Sequence, residues 1–251
     1  MTLLDLFSKT SKIIYDKPAR VLTNSDILHL IDLTLLDETV TDNEIQTLDA
    51  LAIKYDTAAI CIYPEQLKLL SPSSVVKKAT VVNFPLGADP LDKVLSDIEH
   101  ICRTSNANEI DYVFPYKTYL DGDTVTALEH CKACYQLSSQ HHKTFKVILE
   151  TGALSSIDIV YALSSKIINN GCDFLKTSTG KIPQGASMDA AFAMLKAIVD
   201  TQKSCGIKIS GGVREKPIAL AYVRLAEHML GKTVDNSWFR IGASKLVDDL
   251  T

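Results

Sequence analysis

The 251 residues are 46% hydrophobic and 22% charged, an ordinary globular composition with enough apolar side chain for a sizeable core, which excludes a disordered chain. A formal net charge of −4 argues against a general nucleic-acid binder, which needs a clustered positive excess, so any anion site must be local. No apolar run approaches the length of a membrane span, and the six cysteines (Cys61, Cys102, Cys131, Cys134, Cys172 and Cys205) are scattered without disulfide-scaffold density; a reduced, cytoplasmic protein is expected.

Residues 1–19 are amphipathic through Leu3, Leu4, Leu6, Phe7, Ile13 and Ile14, while Asp5, Lys9 and Lys12 interrupt any signal-peptide core. Residues 1–26 read as an N-terminal helical extension of a single domain, with 27–251 forming its body. From there β-like runs are predicted at 27–35, 58–63, 80–84, 109–114, 145–150, 173–177, 206–210 and 238–242. Helical spacing is predicted between them, at 42–54, 90–103, 123–140, 157–169, 187–203 and 217–230. Strands alternating with helices imply parallel pairing through right-handed crossovers, and eight such units predict a closed (β/α)8 barrel. An open doubly wound sheet would want a glycine-rich turn after its first strand, and Leu35-Leu36-Asp37-Glu38 offers none. Asp32, Thr34, Tyr63, Asn83, Asp111, Glu150, Lys176, Lys208 and Arg240 interrupt the strands near their C-terminal ends, which in a barrel is the catalytic rim.

Lys176 lies in Phe-Leu-Lys-Thr-Ser-Thr-Gly-Lys, residues 174–181, where an apolar strand delivers a lysine into a polar loop. Either its head snorkels into water, or burial lowers its pKa toward the neutral amine that a Schiff-base lysine needs. Lys208 follows one strand later, and alternation lets both amines enter the barrel mouth. Unit charges about 4 Å apart repel by roughly 4 kcal/mol at an effective dielectric near 20. That repulsion could lower one amine's pKa by roughly 3. The alternative is a structural ion pair of Lys208 with Asp111 or Glu150. Asp111, inside a β-branched and aromatic run, could relay protons or only orient Lys208.

Three loops after the last three strands, Thr179-Gly180-Lys181, Gly211-Gly212-Val213-Arg214 and Gly242-Ala243-Ser244-Lys245, offer free backbone N–H groups next to expected helix N-termini. Barrels bind phosphate in this way, and Lys181, Arg214 and Lys245 supply charge. Cys131 and Cys134, with His130 before them and His141-His142 after, share a helical face and read as core packing rather than a metal or redox site. Cys61 reads as a barrel-interior thiol. There is no Walker A motif, His-Glu-x-x-His pair or serine-nucleophile elbow.

With these residues assembled, the chain resembles the deoxyribose-phosphate aldolases, Schiff-base aldolases on a (β/α)8 barrel. The resemblance runs from about Ile31 to Leu246 and rests on Asp32-Leu33-Thr34, residues 59–64, Val82-Asn83-Phe84-Pro85, residues 111–116, residues 146–152, residues 174–181, residues 211–214 and residues 240–244. It implies that Lys176 forms the Schiff base, Lys208 perturbs it and Asp111 belongs to the proton relay. Gly180, Lys181, Gly211, Gly212, Arg214, Gly242 and Ser244 would surround a substrate phosphate, and Asp32, Thr34, Cys61, Phe84 and Lys146 would support the pocket. The implied reaction is reversible cleavage of 2-deoxy-D-ribose 5-phosphate, in deoxyribonucleoside catabolism, with no metal or organic cofactor. The expected partners are a small phosphosugar, with a homodimer as one possible assembly, and no nucleic acid and no membrane. Two departures stand out. Lys245 replaces a frequent serine, with an expected effect on phosphate affinity, and the sequence stops at Thr251 without a longer tail closing on tyrosine, with slower enamine protonation expected. Another phosphosugar Schiff-base aldolase, a pyridoxal-phosphate barrel enzyme and a non-catalytic phosphometabolite-binding barrel are the rival readings.

Overall fold

The computed structural model describes residues 1–16, 20–72 and 74–251. The amphipathic N-terminal stretch forms helix α1 (Leu3–Asp16), and the last three residues of the predicted stretch, 17–19, lie outside the described residues. Eight parallel strands then close on themselves in sequence order: β1 (Ile31–Thr34), β2 (Ala59–Ile62), β3 (Lys77–Val82), β4 (Glu109–Val113), β5 (Thr144–Ile148), β6 (Phe174–Lys176), β7 (Gly206–Ser210) and β8 (Phe239–Ala243). This is the (β/α)8 barrel that the alternation predicts. Around it run α2 (Asn24–Leu28), α3 (Asp42–Lys54), α4 (Leu91–Thr104), α5 (Tyr116–Leu120), α6 (Thr124–Gln140), α7 (Ile157–Asn170), α8 (Met188–Thr201), α9 (Lys216–Leu230) and α10 (Leu246–Leu250). Among the described residues no helix is long and apolar enough to cross a membrane.

Local chemistry sets the helix starts. Thr41 accepts from the Glu44 N–H while the Glu44 carboxylate accepts from the Thr41 N–H at 2.8 Å, a reciprocal cap that fixes α3 where periodicity placed it. The same device, Thr23 with Asp26, starts α2 at Asn24, and so the first predicted strand loses residues 27 and 28 to a helix and begins at Ile31. Strand β3 begins three residues earlier than expected, because Lys78 buries its stem and donates from Nζ to the Ser71 carbonyl at 2.8 Å.

The main core lies between the strands and the surrounding helices, whereas the bore of the barrel is divided. Ala59, Cys61, Ala79 and Val81 of β2 and β3, with Leu36, make a small apolar cluster on one side. The bore also holds the buried charges of β1, β4, β5, β6, β7 and β8. On the outside, His130 and the Cys131 and Cys134 thiols are packed into the core. The His130 Nδ1 pairs with the Tyr112 hydroxyl at 2.7 Å and lies 3.7 Å from the Cys134 sulfur.

Candidate active site

Parallel register brings the ionisable residues together. It pairs Asp111 with Lys146, Lys176 with Lys208, and Lys208 with Arg240, so alternation sends their side chains to the same inner surface. Asp111 is the hub. Its Oδ2 accepts from Lys176 Nζ and Lys208 Nζ, each at 2.8 Å, and its Oδ1 accepts from Lys146 Nζ at 2.8 Å. Lys208 Nζ also lies 2.6 Å from Asp32 Oδ2, and Lys146 Nζ contacts Glu109 while standing 3.4 Å from Asp32. Arg240 closes the group, with Nη1 donating to Asp32 Oδ1 at 2.6 Å and Nη2 to Glu109 Oε1 at 3.2 Å.

Charge counting separates Lys176 from its neighbours. Three carboxylates, Asp32, Glu109 and Asp111, face four basic side chains, Lys146, Lys176, Lys208 and Arg240, and all seven are buried. If every group were ionised, one positive charge would remain uncompensated away from water, which is costly. The relief falls on Lys176. Burial first, and then the Lys208 charge, lower its pKa, against the pull of Asp111. Burial also works to lower the Lys146 and Lys208 values, but the nearby carboxylates outweigh it and hold both well above the ordinary lysine range. Asp111 and Asp32, despite burial, are held below the ordinary carboxylate range by those cations. The result is one amine biased toward its free, nucleophilic form among fixed charges.

The sequence offers Lys208 either as a perturbing cation or as a structural ion pair, and the structure merges the two. Lys208 pairs with Asp111 and Asp32, not with Glu150, and that pairing is what keeps it a permanent cation beside Lys176. Its repulsion is secondary to burial as the cause of the lowered Lys176 value. The expectation that Arg240 stands on the catalytic rim is wrong. It is the second residue of β8, its Nε contacts the Asn236 carbonyl, and it lines a cavity of about 590 Å³ with Lys77, Glu109 and Asp173 at the N-terminal ends of the strands. Glu109 is absent from the residues singled out by sequence, although it lies two positions before Asp111 on the same face.

At the opposite, C-terminal end of the bore Lys176 reaches a cavity of about 240 Å³. Thr34, Gly180, Lys181, Gly211, Gly212, Arg214, Gly242, Ser244 and Lys245 line it, so the three glycine loops do meet at one place. Gly211 and Gly212 have φ of 90° and 92°, a backbone that side chains resist, and a Cβ on Gly242 would stand 3.0 Å from Lys208 Cε. Only two of the three loops lead directly into helices. The Lys181 loop continues to Ser187 before α8 begins, contrary to expectation. The Lys181 Nζ donates to the Leu36 carbonyl at 2.5 Å, while Arg214 and Lys245 are exposed.

The remaining pocket residues sit to the side. Thr34 lines the cavity with its hydroxyl donating to the Asp32 carbonyl at 2.8 Å. Cys61 lies in the bore, its sulfur 4.0 Å from Asp111 Oδ2, and burial pushes its thiol pKa up. Phe84 packs edge-on against Tyr63, 6.0 Å between ring centroids, and lines a neighbouring depression rather than the lysine cavity. The arrangement as a whole can present a free amine to a carbonyl and an anion-binding wall to the other end of the same small molecule.

Known proteins share the fold. A structure from Coccidioides immitis, provisionally named a deoxyribose-phosphate aldolase, is 25% identical with a TM-score of 0.80, covering 99% of this chain and 96% of that one. A tetrameric deoxyribose phosphate aldolase from Aeropyrum pernix is 24% identical with a TM-score of 0.79, covering 97% and 96%. A structure described as an aldolase, QR15, is 24% identical with a TM-score of 0.76, covering 88% and 93%. Residues 27–246 match the family described as DeoC/LacD family aldolase, and the chain therefore belongs to the DeoC/LacD aldolases.

Proposed function

We propose that the protein is a Schiff-base aldolase that reversibly cleaves 2-deoxy-D-ribose 5-phosphate to D-glyceraldehyde 3-phosphate and acetaldehyde, in the breakdown of deoxyribonucleosides. The observation that carries this reading is a buried amine, Lys176, held toward its neutral form and opening on a cavity whose far wall is glycine-rich and cationic. Lys176 Nζ attacks C1 of the open-chain sugar, and loss of water leaves a cationic imine. As the C3 hydroxyl gives up its proton, the C2–C3 bond breaks and its electrons neutralise the iminium, leaving an enamine and releasing glyceraldehyde 3-phosphate. Protonation at C2 and hydrolysis release acetaldehyde and restore the amine. Asp111, hydrogen-bonded to both Lys176 and Lys208, is assigned to proton movement through water. The fixed Lys208 charge disfavours a cation on Lys176 in either form, so it favours both the free amine at the start and the collapse of the iminium to a neutral enamine. Self-association of the chain, for which the tetrameric Aeropyrum protein is a precedent, belongs to the same proposal.

Borohydride added with deoxyribose 5-phosphate or acetaldehyde is expected to fix the substrate carbon to Lys176 as a secondary amine, read by peptide mass mapping. An adduct confined to Lys208, or activity retained in Lys176→Arg, would overturn the assignment.

Arg214→Ala and Lys181→Ala are expected to reduce kcat/KM for deoxyribose 5-phosphate by roughly 10- to 100-fold, the worth of a charge-assisted contact at about 1.5–3 kcal/mol. Unphosphorylated deoxyribose should be affected far less. Equal losses on both substrates would mean that these loops shape the barrel and do not grip the anion.

A further inference from the structure

One buried acid is left unused by this chemistry. Glu150 lies just past β5, fully buried, and makes no ion pair with any described residue. Its backbone is left-handed, with φ 54° and ψ 59°, a strained conformation for a non-glycine residue. A carboxylate buried without a cation is costly unless hydrogen bonds replace water. Burial pushes the Glu150 pKa up, against the Thr179 hydrogen bonds and the Lys176 charge.

Both carboxylate oxygens turn to one residue. The Thr179 N–H donates to Oε1 at 3.3 Å and the Thr179 hydroxyl donates to Oε2. Because the hydroxyl proton is committed to Glu150, Thr179 Oγ1 presents only lone pairs on its other side, and there it accepts the Lys181 N–H at 3.0 Å. The Thr179-Gly180-Lys181 turn is thereby closed, and the Gly180 N–H has no protein partner among the described residues. Further contacts brace the strained turn that carries Glu150. The Thr151 N–H donates to the Thr177 carbonyl at 2.9 Å, and Gly152 lies so close to the Gln184 carbonyl that a Cβ would stand 2.1 Å from it.

We infer that Glu150 is a positioning residue for substrate anion binding: by fixing the direction of the Thr179 hydroxyl, it holds the Gly180–Lys181 segment in the form that receives the phosphate group of the substrate. The inference rests on the proposed reading of the cavity as a phosphosugar site and extends it to a residue that does not line the cavity.

The test compares Glu150→Gln, which keeps size and polarity but cannot accept both bonds, with Thr179→Val and Thr179→Ser. Steady-state kinetics with deoxyribose 5-phosphate and with unphosphorylated deoxyribose give the readout, and circular dichroism checks folding. Glu150→Gln and Thr179→Val are each expected to raise KM for the phosphorylated sugar on the order of tenfold. The kcat/KM for deoxyribose should stay within about twofold in both. The double variant should add little beyond either single change, and Thr179→Ser, which retains the hydroxyl, should restore the wild-type KM. Equal losses on both sugars, an unchanged KM, or additive effects in the double variant would overturn the positioning role. If the wild-type enzyme itself fails to prefer the phosphorylated sugar, the phosphosugar reading fails first, and the two failures are thereby distinguished.

Discussion

Asp111→Asn is expected to slow turnover by roughly 10²–10⁴-fold, the usual worth of a positioned acid or base, while moving the acidic limb of the pH–rate profile to lower pH. The wild-type carboxylate pulls the Lys176 pKa up against the burial that lowers it. Removing the negative charge therefore lowers the Lys176 value further, and the free amine persists at a pH where the wild type is already protonated. More nucleophile with less turnover is the signature of a proton-handling group. An alkaline shift, or a rate within a few-fold of wild type, would show that Asp111 only orients its neighbours. The variant also leaves three buried lysines short of a partner, a loss that commonly costs about 3–5 kcal/mol. Urea unfolding of the variant and wild type is the control.

Lys208→Leu is expected to slow the reaction as well but to shift the acidic limb the opposite way. The Lys208 cation lowers the Lys176 pKa, and it occupies the same Asp111 oxygen that Lys176 uses. Its removal takes away the repulsion and leaves Asp111 to hold Lys176 more fully, so the Lys176 value rises and the active amine appears only at higher pH. At a fixed pH below the limb, each unit of that rise removes roughly tenfold of the reactive form. Profiles of the two variants moving in opposite directions from wild type would be hard to obtain from any general loosening of the barrel. An unmoved limb in a folded Lys208→Leu protein would reduce Lys208 to a structural partner.

The barrel was legible because its signals are repetitive. Residues 206–210 and 42–54 are bounded in the structure as the run Gly-Ile-Lys-Ile-Ser and the helical spacing of apolar residues predict. Helices α2, α5 and α10 were not legible, since each spans only five residues, too few to display a helical period. Lys176, Lys208 and Asp111 stand out as charges inside apolar strands, and their convergence follows from alternation. What alternation could not convey is depth. Arg240 and Glu109 share the inner face but sit toward the other end of the bore, and strand length alone did not place them there. The part played by Glu150 was equally hidden, because it depends on a left-handed backbone at a non-glycine residue, which the sequence does not announce.

The contrast between the enclosed seven-member charge cluster and the exposed cations at its mouth makes the site respond in two ways to ionic strength. Mobile ions at physiological concentration screen charge over about 8 Å of solvent, but they screen buried side chains much less. Lys181, Arg214 and Lys245 face solvent, whereas Asp111 and the lysines around it do not. Added salt is therefore expected to weaken the capture of the anionic substrate proposed above far more than it shifts the acidity of Lys176, so grip and reactivity would be separately adjustable by the surrounding medium.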